Sequence, residues 1–116
     1  GADFQAMQRH LAEGSAALEA VVEYVVANMK TDINAVFAGS VPYLMLAGNV
    51  VAGWQMGRSL LAAQEELAKG VDTDFMKAKI TTARFYAAHL LTKAPGMRDS
   101  IVEGADCVTA LALEAF

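Results

Sequence analysis

Apolar residues recur along this chain in steps of three and four, the spacing of one helix face. Phe4, Met7, Leu11, Gly14, Leu18, Val21, Val25 and Asn28 make the first such stripe, with Glu13, Glu19 and Glu23 off it. The pattern predicts a helix from about Asp3 to Lys30, which at 1.5 Å per residue spans about 40 Å. Thr31, Asp32 and Asn34 then form a polar break with N-cap chemistry. A second helix is predicted from about Ala35 to Lys69. Pro42 belongs near the start of a helix or kinks one, which allows the break to extend to about Val41. Beyond Arg58 this helix turns amphipathic, with Leu60, Leu61 and Leu67 inward and Gln64, Glu65 and Glu66 outward. Lys69 followed by Gly70 is a helix-stop signal.

A third helix is predicted from about Asp72 to Lys93. Asp72, Thr73 and Asp74 offer N-caps. Met76, Ile80, Ala83, Ala87, Leu90 and Leu91 form its inward stripe, while Lys77, Lys79 and Arg84 lie outside it. Lys93-Ala94-Pro95-Gly96 reads as a stop. A fourth, shorter helix is predicted from Met97 to about Ala115, with Met97, Ile101, Ala105, Val108 and Ala112 on one face. Four helices with short links favour an all-α fold, an antiparallel up-down four-helix bundle spanning residues 1–116 as a single domain. No internal repeat or low-complexity segment interrupts it.

Residues Ile33 to Gly57 contain no charge, a run of 25 residues. That is long enough to raise the question of a membrane span. Asn34, Ser40, Asn49 and Gln55 interrupt it, four glycines thin it, and only 16 of its 25 residues are apolar. No basic cluster flanks it. A helix buried in the centre of the bundle is the favoured reading, and a membrane is disfavoured. Gly53 and Gly57 share a face, and Gly48 and Ala52 are expected to extend that thin stripe. A cofactor groove and tight helix packing both account for such a stripe; packing is the simpler.

Composition sharpens one point. Hydrophobic residues make up 55% of the 116, charged residues 19%, and mean hydropathy is +0.33. A domain of this length buries only about two-thirds of its unfolded surface, so an apolar excess asks for a covered face. The balance excludes intrinsic disorder. A net charge of −4 argues against nucleic acid as a partner. Alanine, the best helix former, is the commonest residue at 23 of 116. The Gly-Ala start reads as the cut end of a longer protein, and no signal peptide is expected.

Candidate chemistry is sparse. A di-metal bundle needs paired Glu-x-x-His motifs, and neither His10 nor His89 has an acid three residues before it. Cys107 is expected to be a small, partly buried hydrophobe. Glu65 and Glu66 diverge on their helix. No phosphate loop and no nucleophile elbow is present. Catalytic, cofactor-binding and metal-binding residues are therefore all assigned as none. Arg84-Phe85-Tyr86 is the strongest aromatic constellation. Three such neighbours cannot all face one core, so they form either a wide core face with Arg84 snorkelling or a docking point for another surface.

The stretches NAVFAGSVPYLMLAGNVVAGWQMGRSLLAA and DFMKAKITTARFYAAHLL resemble the extra C-terminal helical domain of a branch of the acyl-CoA dehydrogenases. The matching residues are Ala38, Pro42-Tyr43-Leu44, Gly48, Gly53-Trp54, Ala62-Ala63, Lys79, Ala83-Arg84-Phe85-Tyr86 and Leu90-Leu91. The resemblance extends over roughly residues 3–113 and is specific over about 34–96. It implies a C-terminal piece of a larger flavoprotein. Such enzymes use FAD to remove hydrogens across the α,β bond of an acyl-CoA thioester. A glutamate acts as base, and electrons leave through an electron-transferring flavoprotein. None of that machinery maps onto these residues, so FAD is implied for the full-length enzyme and not for this segment.

The resemblance thus implies a non-catalytic helical domain in fatty acid metabolism, packed on the dehydrogenase body or a subunit interface. Tyr43, Trp54, Arg84, Phe85 and Tyr86 are the expected interface residues, because Trp, Tyr and Arg are enriched at binding hot spots. The expected partners are the dehydrogenase domains of the same chain, in a homo-oligomer. A cytoplasmic setting is the default for a reduced, signal-free chain. The alternative is an independent helical module that binds protein or membrane. A complete small enzyme is the weakest reading, for want of a convergent site.

Overall fold

A computed structural model describes residues 1–116, all of them helical or in short connections. Helix α1 spans Ala2–Asn28, α2 Ile33–Ala38, α3 Ser40–Ala68, α4 Thr73–His89, α5 Ala94–Glu103 and α6 Ala105–Val108. Turns of 3-10 helix cover Leu91–Lys93 and Leu113–Ala115. No strand is present, so the all-α expectation holds.

Local chemistry sets the ends. The Asp32 carboxylate accepts a bond from the Ala35 backbone N–H at 3.2 Å and caps α2. Gly39 separates α2 from α3, so the helix predicted from Ala35 is divided there and its long part begins at Ser40, next to Val41. Pro42 lies in the first turn of α3, where its missing N–H costs no intrahelical bond, and no kink results. At the other end of α3, Gly70 has φ +74°. It donates to the Leu67 carbonyl at 3.0 Å, while Val71 donates to Glu66 at 3.1 Å. That pair is the Schellman stop.

The expected four-helix up-down arrangement is replaced by three limbs. Gly39, just before α3, abuts Ile101; Gly53 of α3 abuts Leu91, and Ala63 lines a hollow with Phe75 and Met76. Residue numbers on α4 and α5 therefore fall steadily as those on α3 rise. The chain does not reverse at Lys93–Gly96. It bends through the 3-10 turn and continues in the same direction as α5. Pro95 sits in the first turn of α5, where proline is tolerated, so the residues read as a stop serve as a helix start. Helix α1 runs antiparallel to α3, with Met7 beside Gly57 and Gly14 beside Val50. The predicted fourth helix ends early, at Glu103, and Val108 and Ala112 of its supposed inward stripe are exposed.

Two small cores lie along this rod. Ala17, Val21, Leu46, Val50, Ala94 and Ile101 fill one, and Met7, Leu60, Ala83, Ala87 and Leu91 the other. The first takes Val21 from the stripe read on α1; the second takes Met7 from that stripe and Ala83, Ala87 and Leu91 from the stripe read for the third predicted helix. Only 16 of 116 residues are buried, so neither core is large. The molecule is long and thin, 66 × 29 × 18 Å, with a radius of gyration of 18.4 Å. A compact chain of this length has a radius of about 13 Å. Its accessible surface is 7475 Å², about 1,400 Å² more than the ~6,100 Å² expected of a self-contained monomer of 12.3 kDa.

Candidate docking face

Helix α3 lies against the other two limbs but is buried on one face only. Leu46, Val50, Gly53, Gly57, Leu60 and Ala63 point inward. Val41, Leu44, Met45, Gly48, Val51 and Ala52 lie on the exposed side, with Leu44 72% and Met45 60% accessible. The expectation of a fully buried central helix is thereby corrected. Three limbs cannot surround a helix, so one side of the charge-free run remains open. Gly53 and Gly57 do serve close packing, on Leu91 and Met7. Gly48 and Ala52 do not extend their stripe: at about 3.6 residues per turn they lie about 140° and about 100° around the helix from Gly53.

Next to this face, α3 and the α4–α5 limb enclose an open groove of about 490 Å³. Leu44, Met45 and Gly48 contribute from α3, and Tyr86, Leu90 and Met97 from the other limb, with Asn49 and Lys93 completing the lining. Polar contacts hold the groove in shape. Asn49 Nδ2 donates to the Leu90 carbonyl at 2.8 Å, an oxygen that also accepts from the Lys93 backbone N–H at 3.1 Å in the turn after α4. Tyr86 Oη donates to the Asn49 carbonyl at 2.7 Å. Asn49 attracts attention in the sequence only as an interruption of the apolar run, yet it clamps α3 to the bend between α4 and α5.

Burial of the Tyr86 ring raises its phenol pKa above the ordinary value of 10.0. The folded protein then holds that proton more tightly than the unfolded chain. Stability from this source is complete below about pH 10 and is lost as pH rises further. Tyr86→Phe is expected to cost about 1 kcal/mol at neutral pH, by removing the bond to Asn49. It should also flatten the fall in stability above pH 10. Urea unfolding of both proteins from pH 8 to 11 checks both effects.

The five expected interface residues do not form one cluster. Tyr43 is half-buried against the core that contains Leu46. Trp54 is 51% exposed, with the Arg58 guanidinium 5.2 Å from its ring. Arg84 Nε pairs with Asp3 Oδ1 at 3.0 Å and ties α4 to the start of α1. Phe85 is 59% exposed and stacks on His89 with centroids 4.6 Å apart. Tyr86 faces α3. The triplet Arg84-Phe85-Tyr86 thus points three ways, as helical geometry requires. The residues missed are Val41, Leu44, Met45, Gly48 and Val51. Their signal was available: a helix apolar all round in a domain too small to surround it.

Other candidates resolve simply. Cys107 is exposed, not partly buried; its thiol donates to the carbonyl of Gly104, the N-cap of α6, at 3.0 Å. His10 Nδ1 is shielded from solvent 3.8 Å from Glu13 Oε2, beyond hydrogen-bond reach. No three His, Cys, Asp or Glu side chains converge as metal ligands would. A second hollow of about 390 Å³ carries Asp32, Glu103 and Asp106. The first turns of α1 and α4 carry Asp3 and Asp74, which disfavours an anion such as a pyrophosphate at those two helix ends. No helix is long and apolar enough to cross a membrane.

Comparison with known proteins agrees with this picture of a segment. The family model described as acetyl-CoA dehydrogenase C-terminal like matches residues 1–112. A 3-methylmercaptopropionyl-CoA dehydrogenase from Ruegeria pomeroyi (strain ATCC 700808 / DSM 15171 / DSS-3) is 42% identical over 113 residues. The match covers 97% of this chain and 19% of that relative, so the chain spans about a fifth of its length. No solved structure matches. A helical chain matched by that model from Gly1 to Ala112 belongs to the acetyl-CoA dehydrogenase C-terminal-like family.

Proposed function

We propose that this chain is the non-catalytic C-terminal helical domain of an FAD-dependent acyl-CoA dehydrogenase. In this reading the preceding domains of the same polypeptide carry the flavin, the catalytic glutamate and the acyl-CoA site. The relative's name supports a thioester substrate of that class. The present residues supply a rigid apolar surface that packs on the dehydrogenase body or at a subunit interface of a cytoplasmic homo-oligomer.

The observation that carries the reading is the outer face of α3. It is apolar, uncharged from Ile33 to Gly57, and exposed. The surface excess of about 1,400 Å² is well above the roughly 800 Å² that one partner contributes to a stable interface. The test is hydroxyl-radical footprinting of α3 in the full-length protein. Protection of Leu44 and Met45 there, relative to the 116-residue chain, is the expected result.

A further inference from the structure

The groove beside α3 carries a more specific message about its occupant. We infer that it receives an apolar side chain flanked by a carboxylate, presented by the dehydrogenase body of the same polypeptide. This rests on the docking role proposed above and names what docks.

Three observations lead there. First, Gly48 is a glycine in the interior of a long helix, and a Cβ added to it would meet nothing within 4 Å. Glycine in such a place costs about 1 kcal/mol relative to alanine. Nothing within the chain offsets that cost, whereas Gly53 and Gly57 each admit a neighbour. A notch open to solvent on an apolar face fits a close approach from outside. Second, Lys93 is the one charged residue lining the groove, and it makes no ion pair within the chain. The molecule is otherwise acidic, with net charge −4. A cation at the edge of an apolar groove selects an occupant that brings an anion.

Third, the source of the occupant can be argued. A symmetric contact between two copies would use the same patch on both. The groove lining contains no acid, so two copies joined through it would bring two Lys93 side chains and no carboxylate. The rest of the polypeptide is the better source: the matched relative extends over about five times the length of this segment.

The test is zero-length carbodiimide cross-linking of the full-length protein, prepared as a mixture of unlabelled and nitrogen-15-labelled copies. Peptide mass spectrometry locates the links, and footprinting of Met45 is measured in parallel. The expected product is an amide between Lys93 Nζ and an Asp or Glu outside residues 1–116, without isotopic mixing. Lys93→Arg should lose the link and keep Met45 protected, because the charge remains. Lys93→Glu should lose both.

Protection of Met45 with no Lys93 link outside the segment would overturn this inference and leave the docking role standing. A link of mixed isotopic mass would assign the groove to a second copy and overturn the same-chain occupant. An unprotected Met45 in the unaltered protein would remove the docking role itself, and the inference with it.

Discussion

Replacing Gly53 by valine is expected to destabilise the fold by about 3 kcal/mol or more, the range of severe core disruption. A Cβ at this position would lie 2.5 Å from Leu91 Cδ2, 2.9 Å from its Cγ and 3.0 Å from its Cδ1. Leu91 has little room to yield, since it is 1% exposed and also packs near Gly14. Alanine at the same site gains about 1 kcal/mol of helix propensity but still overpacks, for a net loss of about 1–2 kcal/mol. Gly57→Ala is the control. Its nearest neighbour would be Met7 Cγ at 3.5 Å, an ordinary contact, so propensity should leave it neutral or slightly more stable. Urea unfolding followed by helical circular dichroism ranks the variants. Equal stability of Gly53→Val and the unaltered chain would mean that α3 and the α4–α5 bend are not in close contact.

The second large effect concerns the exposed face. Leu44→Glu should change the stability of the 116-residue chain by no more than about 0.5 kcal/mol, because Leu44 is 72% exposed. In the full-length protein the same carboxylate would enter a dry apolar interface. Burying an unpaired charge costs about 3–5 kcal/mol, enough to weaken docking a hundredfold or more at 1.4 kcal/mol per tenfold. The segment should then be released from the body. Limited proteolysis would show faster cleavage at its junction with the preceding domains. Unchanged cleavage would mean that Leu44 faces water in the full protein.

The stripes on α1 and α4 were legible because the apolar residues keep to one face of each helix and the charged residues to the others. Met7, Val21, Ala83 and Ala87 are buried where the spacing puts them. The Gly70 stop was legible for a local reason, since its φ of +74° favours glycine. The limb count was not. Lys93-Ala94-Pro95-Gly96 is compatible with both a stop and a fresh helix start, and only the packing of Leu91, Ala94 and Ile101 along α3 selects the second. The candidate face was partly legible. The charge-free run identified the helix, but periodicity cannot say which side of an all-apolar helix is covered. Aromatic residues therefore drew attention to Arg84, Phe85 and Tyr86, while Val41, Leu44 and Met45, each at least as exposed as Phe85, did not.

The central claim is that the outer face of α3 is covered in the complete protein. Hydroxyl-radical footprinting measures this most directly, with Met45 as the reporter because its thioether reacts readily and it is 60% exposed here. Buried Met7 serves as the internal standard. If that face is covered, Met45 is labelled rapidly in the 116-residue chain and is protected to nearly the level of Met7 in the full-length protein. Equal, rapid labelling of Met45 in both would contradict it.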